Sequence, residues 1–143
     1  MRFMVILKGT PESEKESPDP KLMAEMGKFN EELIKAGIVL AMDGLQPSSK
    51  GARVKFSGTS CTVIDGPFTE AKELIAGFWI WKVKSLEEAI EWVKRAPGPD
   101  DGEYEIEIRQ VGEMEDLAEI LSEEEIEYKK AKRAELPNQT FNK

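Results

Sequence analysis

The sequence predicts an α+β domain with one antiparallel sheet, two main helices and an inserted hairpin. Two strongly apolar runs, at residues 2–9 and 77–83, have the composition of central strands. Each precedes a segment whose apolar residues recur at helical spacing, and the alternating run at residues 103–111 is typical of an edge strand. In chain order the elements are β-α-β, a hairpin, then β-α-β, which matches a ferredoxin-like sheet that carries an insertion.

The first β-α-β unit is predicted from the N-terminal third of the chain. Gly9, Thr10 and Pro11 end the first strand, and the polar residues 12–20 are predicted to form a loop. A helix is expected from Lys21 onward, with Gly37 placed to end it. Its apolar stripe consists of Leu22, Met26, Phe29 and Leu33. The next apolar segment, residues 38–47, is read as the second strand and a turn.

The insertion is predicted to be a β-hairpin. Residues 53–56 and 59–64 have strand composition and flank Ser57-Gly58, a dipeptide typical of hairpin turns. The sequence Asp-Gly-Pro-Phe at residues 65–68 follows, and its Asp, Gly and Pro are turn-forming residues. We expect this segment to fix the geometry where the hairpin returns to the main sheet.

The central strand raises the question of what covers each face of the sheet. Phe78 and Ile80 are expected on one face, and Trp79, Trp81 and Val83 on the other. Because both helices of a ferredoxin-like fold cover the same face, we place the two tryptophans on the helix-free face. A sheet-to-sheet homodimer would bury about 150–250 Å² of each indole there. The alternative is that a C-terminal helix folds over that face.

The chain is divided into a domain at residues 1–111 and a helical extension at 112–143. Ser85 and Glu88 form a capping box that begins the second helix of the domain. In the extension a helix is expected near Ser122, followed by a polar, frayed end. Its apolar stripe is Leu117, Ile120, Leu121 and Tyr128. This stripe could dock on a partner subunit, on another protein or on its own domain.

Composition excludes several classes of function. The formal charge of −8 argues against wrapping nucleic acid, and no apolar run is long enough to span a bilayer. The start of the chain lacks the features of a cleaved signal sequence, so a cytoplasmic protein is expected. With one cysteine, Cys61, and no histidine, the sequence predicts no disulfide, no zinc site and no histidine-dependent nucleophile. No glycine-rich phosphate loop indicates a nucleotide cofactor.

Four blocks of sequence carry a resemblance to a known family: residues 33–47, 63–83, 85–97 and 105–111. Together they resemble the YCII-related family, in the branch named for its Asp-Gly-Pro-Phe motif, over about residues 1–111. The resemblance implies a ferredoxin-like α+β fold whose dimer packs sheet against sheet, related to the dimeric α/β barrels of muconolactone-isomerase type. Some bacterial members are encoded beside, or fused to, extracytoplasmic-function sigma factors.

The resemblance implies less about activity. An enzymatic role has been suggested for some relatives from a His/Asp pair, and this chain has no histidine with which to form one. The motif itself carries over as Asp65, Gly66, Pro67 and Phe68. It is followed by the charged residues Glu70, Lys72 and Glu73.

Two functions remain open at this stage. The first is an enzyme acting on a small molecule in a cleft at the dimer interface, with Asp65 and Glu73 as catalytic acid and base. The ligand-binding candidates are Asp43, which could also serve in acid–base work, together with Arg53, Phe68 and Lys72. The second is a non-catalytic dimer that binds a small ligand or regulates a partner, with a possible link to sigma-factor signalling. For each residue the competing interpretation is a hydrogen-bonded turn with solvated flanks.

Overall fold

A computed structural model describes residues 1–15, 17–100 and 102–137. It contains six strands and four α-helices in this part of the chain. In chain order they are β1 (Arg2–Lys8), α1 (Pro11–Lys15), α2 (Pro20–Lys35), β2 (Val39–Gly44), β3 (Ala52–Ser57), β4 (Ser60–Asp65), β5 (Ile75–Lys82), α3 (Leu86–Val93), β6 (Ile106–Gln110) and α4 (Glu123–Ala134). Short 3-10 helices cover Ser48–Lys50, Ala71–Glu73 and Met114–Leu117.

The main sheet has four antiparallel strands in the order β2-β5-β1-β6. The two runs that lack alternation, β1 and β5, are the central strands, and the alternating β6 lies at an edge. The fold is therefore α+β with antiparallel sheets, consistent with the ferredoxin-like fold that the sequence predicts. Strands β3 and β4 form a separate two-stranded sheet, the predicted hairpin.

The two tryptophans of β5 lie in the core beneath the helices, and the prediction that they occupy the helix-free face is wrong. Trp79 is 2% exposed and Trp81 is fully buried. Both rings make edge-on contacts with Phe29 of α2, at centroid distances of 5.9 and 6.5 Å. Alternation along a strand shows which side chains share a face but not which face the helices cover. Burying the largest apolar side chains under the helices gains the most hydrophobic free energy.

The face of the sheet opposite α2 carries the even-numbered residues of β1 and β5, and we call it the open sheet face. Its central residues follow from the strand register, because directly paired residues point the same way: Ile6 pairs with Phe78, and Met4 pairs with Ile80. All four side chains are partly buried.

Helix α1 occupies the first part of the segment at residues 12–20 that the sequence predicts to be a loop, and residues 17–19 have no regular structure. Thr10 and Ser13 exchange hydrogen bonds across its first turn: Thr10 N–H donates to Ser13 Oγ at 2.8 Å, and Ser13 N–H donates to Thr10 Oγ1 at 3.0 Å. Pro11 at the first helical position is pre-organised for a helix start. The polar composition concealed this one-turn helix because none of its side chains is fully buried.

The other helix boundaries agree with local capping chemistry. Asp19 caps α2 by accepting a hydrogen bond from Lys21 N–H at 3.0 Å, and Gly37 follows the helix with a φ of +74°. Ser85 accepts a hydrogen bond from Glu88 N–H at 3.1 Å at the start of α3, as predicted.

The C-terminal extension is tied to the domain where it begins. Arg2 donates two hydrogen bonds to Glu113, of 2.7 and 2.9 Å. Farther along, Ser122 caps the start of α4, near where the helix is predicted to begin. In the predicted stripe, Leu117 and Leu121 are partly buried, whereas Ile120 is 77% exposed and Tyr128 is 64% exposed. Most of the predicted frayed end, residues 138–143, lies outside the described residues.

Within the described residues, none of the helices combines the length and the apolar character that crossing a membrane requires.

Candidate functional site

A groove of about 410 Å³ lies where the hairpin, the turn after β2 and the start of β5 meet. Its apolar walls come from Leu45, Pro47, Leu74 and Ile75. Leu74 is fixed in position, because its side chain is buried, with 2% exposed, and its carbonyl accepts a hydrogen bond from Gly9 N–H at 3.0 Å. The volume lies within the usual range of small-molecule sites.

One wall of the groove carries an arginine held between a ring and a carboxylate. The guanidinium carbon of Arg53, on β3, lies 3.6 Å from the centre of the Phe68 ring. Arg53 Nη1 also forms an ion pair with Glu73 Oε2 at 2.8 Å, and the two side chains are 40% and 52% exposed. Cation–π attraction and the ion pair both fix the orientation of the guanidinium.

The opposite side of the groove is fixed by a carboxylate from α1. Glu14 accepts hydrogen bonds from the backbone N–H and the hydroxyl of Ser48, both at 2.6 Å. The same hydroxyl accepts a hydrogen bond from Phe68 N–H at 2.9 Å. Ser48 therefore connects α1 to the Asp-Gly-Pro-Phe segment and holds the backbone of Phe68 in place.

Gly66 is required where the motif passes beneath this connection. A Cβ atom at position 66 would lie 1.7 Å from the Ser48 carbonyl oxygen, far inside van der Waals contact. Gly66 N–H donates to the Gly51 carbonyl at 3.0 Å, and the Gly66-Pro67 peptide bond is cis. The motif thus joins the hairpin base to the turn after β2 and also supplies Phe68 to the groove.

Half of the residues singled out from the sequence meet in the groove. Arg53, Phe68 and Glu73 line it together. Asp65, Asp43 and Lys72 are exposed and do not line it.

The first two of these outlying residues have identifiable positions in strands. Asp65 pairs with Ala52 at the base of the hairpin, and Asp43 pairs with Phe78 at the edge of the main sheet. Their separation from the groove follows from strand register, which motif spacing does not specify.

Two residues of the site, Glu14 and Ser48, were missed by the sequence analysis. Glu14 lies in an acidic polar run and Ser48 in a serine pair after a proline, and neither pattern is distinctive. The two residues are 34 positions apart, so only the tertiary structure brings them together.

The resolved pKa shifts fall on residues outside the groove lining. Burial raises the pKa of Tyr104 to about 12. The hydrogen bond from Arg2 lowers the pKa of Glu113, and the Ser122 backbone N–H does the same for the pKa of Glu125 at the start of α4. In the described ranges, no three His, Cys, Asp or Glu side chains are grouped so that they could hold a metal ion.

Comparison with known proteins identifies the family. The model of the YCII-related domain matches residues 1–115, which include the main sheet and every residue of the groove. The chain is also similar to an uncharacterised protein of Rhizobium meliloti (strain 1021), with 29% identity over 90 residues that make up 62% of this chain and 73% of the relative. The chain therefore belongs to the YCII-related family.

Proposed function

We propose that this protein binds a small organic anion with an apolar body in the groove, and that Arg53 takes its charged end. The observation that carries the proposal is the placement of Arg53, stacked on Phe68 and paired with Glu73 at the groove wall. A guanidinium has five N–H donors, and its fork matches a carboxylate or phosphate. Among the described residues, Arg53 forms its ion pair with Glu73. The remaining N–H groups of the guanidinium can therefore donate hydrogen bonds to a ligand.

The remaining lining supports the same class of ligand. Leu45, Leu74 and Ile75 offer an apolar surface beside the Phe68 ring, against which a short chain or an aromatic ring can pack. Glu14 is occupied by its two hydrogen bonds from Ser48, so it repels an incoming anion less than an unpaired carboxylate would.

A second candidate function is acid–base catalysis, with Glu73 as the base. The observation that favours it is the position of Glu73, which lies beside the proposed anion site and lines the groove. An anion bound to Arg53 would compete with Glu73 for the guanidinium and leave this carboxylate next to the ligand. Asp65, which does not line the groove, is not part of this proposal.

We also place the chain in the Asp-Gly-Pro-Phe branch and propose that it is a homodimer. Residues 65–68 carry the motif, and the open sheet face supports the dimer. Met4, Ile6, Phe78 and Ile80 form a continuous apolar strip at its centre. A contiguous apolar strip on the surface of a protein often marks an interaction site. The link to sigma-factor signalling and the cytoplasmic location stay predictions.

The binding proposal is tested by calorimetric titration with benzoate and hexanoate, with neutral benzamide as the ligand control. Arg53→Met keeps the length of the side chain and removes the guanidinium. We expect the carboxylates to bind the natural sequence and to bind Arg53→Met at least about tenfold more weakly, because a charge-assisted hydrogen bond contributes about 1.5–3 kcal/mol.

Arg95 supplies a matched control within the same chain. Its guanidinium carbon lies 4.6 Å from the centre of the Trp92 ring and it pairs with Glu32, an arrangement like that of Arg53 but outside the groove. Arg95→Met should leave carboxylate binding unchanged. Equal weakening by both substitutions, or equal binding of benzamide and benzoate, would contradict the proposed role of Arg53.

Catalysis is tested separately from binding. Pyruvate in deuterated water exchanges its methyl protons when a base abstracts them, and NMR follows the exchange directly. We expect an acid–base site to accelerate this exchange, and Glu73→Gln to abolish the acceleration while pyruvate still binds. Binding of pyruvate without accelerated exchange would leave the protein a binder of this ligand class.

A further inference from the structure

A second cation, Lys50, lines the groove together with Arg53. Lys50 is the last residue of the 3-10 helix that begins at Ser48. The next residue, Gly51, is held on both sides: its N–H donates to the Ser48 carbonyl and its own carbonyl accepts from Gly66 N–H, each at 3.0 Å. The backbone beside Lys50 is therefore fixed to the Asp-Gly-Pro-Phe motif, so the lysine enters the groove from a constrained position.

The charged groups of the groove differ in whether they already have a partner. Glu14 accepts two hydrogen bonds from Ser48, and Glu73 is paired with Arg53 at 2.8 Å. The ammonium group of Lys50, in contrast, has no ion pair or hydrogen bond with any residue that the structure describes. A cleft with apolar walls focuses the field of the charges that line it. The charge of Lys50 is therefore available to attract a second anionic group.

We propose that the groove selects organic acids that carry two carboxylates, one at each end of a short apolar chain. Arg53 binds one carboxylate, Lys50 binds the other, and the chain lies against the apolar walls. This proposal rests on the anion site proposed above and narrows the class of ligand that the site takes. Three residues of extended chain span at most about 11 Å, so the Cα atoms of Lys50 and Arg53 lie within that distance. Because both side chains are long and flexible, the two cations can contact the two ends of one small molecule.

The charge of the whole chain separates this proposal from a general attraction for anions. With a formal charge of −8, the protein repels a dianion more strongly than a monoanion at long range. A preference for the dianion must therefore come from cations inside the groove. A phosphate monoester carries its two charges on a single group, whereas Lys50 and Arg53 belong to different elements, the 3-10 helix and β3. Two separate cations favour a dicarboxylate.

The matched ligands adipate and hexanoate test the second contact by calorimetric titration at neutral pH. Both have a six-carbon chain, and adipate has a carboxylate where hexanoate ends in a methyl group. We expect the natural sequence to bind adipate at least about fivefold more tightly than hexanoate, as one additional ion pair at a partly exposed site would give. Lys50→Met, which removes the ammonium group and keeps most of the apolar side chain, should lower the affinity for adipate to that for hexanoate.

Lys72→Met is the control for a general change in charge. Lys72 is exposed and does not line the groove, so this variant should keep the preference for adipate. Equal binding of adipate and hexanoate by the natural sequence, or a preference that Lys50→Met retains or Lys72→Met also loses, would overturn the second contact and leave the anion site at Arg53 standing. Tighter binding of butyl phosphate than of adipate would overturn the dicarboxylate class. If neither acid binds, the anion site and its second contact are both wrong.

Discussion

The carboxylate of Glu14 accepts two hydrogen bonds of 2.6 Å from Ser48, one from the backbone N–H and one from the hydroxyl. This contact fixes one side of the groove, because the Ser48 hydroxyl in turn accepts from Phe68 N–H. Hydrogen bonds to charged groups each contribute about 1.5–3 kcal/mol. The Glu14 contact is therefore a principal support of the candidate site.

Glu14→Gln tests this support. An amide oxygen accepts hydrogen bonds more weakly than a carboxylate, so we expect the free energy of unfolding to fall by about 1–3 kcal/mol, measured by urea denaturation. Glu12→Gln, in the same short helix and exposed, should change it by less than about 0.5 kcal/mol. Equal denaturation midpoints for the two variants would show that the contact with Ser48 does not support the fold.

Substitution of Gly66 is expected to be among the most damaging single changes. A Cβ at this position would lie 1.7 Å from the Ser48 carbonyl oxygen, so the turn after β2 must move. We expect Gly66→Ala to cost about 3 kcal/mol or more and to weaken carboxylate binding in the groove. Gly27→Ala is the control: Gly27 lies in α2 with open space around it, and alanine should stabilise the helix by about 0.5–1 kcal/mol.

The pairing of Arg2 with Glu113 predicts a dependence of stability on pH. Because the hydrogen bond from Arg2 lowers the pKa of Glu113 in the folded state, the stabilisation is complete above the ordinary value of 4.5 and is lost as the pH falls through the folded-state pKa. We therefore expect Glu113→Gln to be less stable than the natural sequence at neutral pH. The difference should shrink at acidic pH.

Thermal denaturation over a series of pH values measures this difference. Glu119→Gln, an exposed acidic position of the same extension, serves as the control and should track the natural sequence at every pH. A gap between the natural sequence and Glu113→Gln that is independent of pH would mean that the charge of Glu113 does not stabilise the fold.

The dimer proposal predicts a specific effect of charge on the open sheet face. Ile80→Lys places an ammonium group at the centre of the apolar strip, where a partner would have to desolvate it. We expect the natural sequence to have twice the mass of one chain in light scattering, and Ile80→Lys to have the mass of one chain. Leu86→Lys, on the exposed side of α3, should stay dimeric. If all three proteins are monomers, the open sheet face is not an interface.

Local sequence patterns predicted the elements whose stabilising interactions are also local. The Ser85–Glu88 cap, the hairpin turn and the alternation of β6 each involve residues within a few positions of one another. The side of the sheet on which Trp79 and Trp81 lie was predicted wrongly, because alternation fixes relative direction only. That choice depends on the packing of α2 and α3 against the whole sheet.

The candidate site was predictable to a smaller extent. Arg53, Phe68 and Glu73 were named from the charged and aromatic residues around one motif, and the structure brings them together. Glu14 and Ser48 were not, because their contact spans 34 positions and neither residue has a distinctive sequence context. Asp65 was named from the same motif as Phe68, yet strand register keeps it at the base of the hairpin, outside the groove lining.

The most direct test of the central claim is a crystal structure of the protein soaked with para-bromobenzoate, with the bromine located by its anomalous scattering. We predict that the carboxylate lies against the guanidinium of Arg53 and that the bromine lies in the groove against Leu45 or Ile75. Bromine found beside Arg95 instead, or an empty groove at a ligand concentration that saturates binding in solution, would contradict the claim that this groove is the anion site.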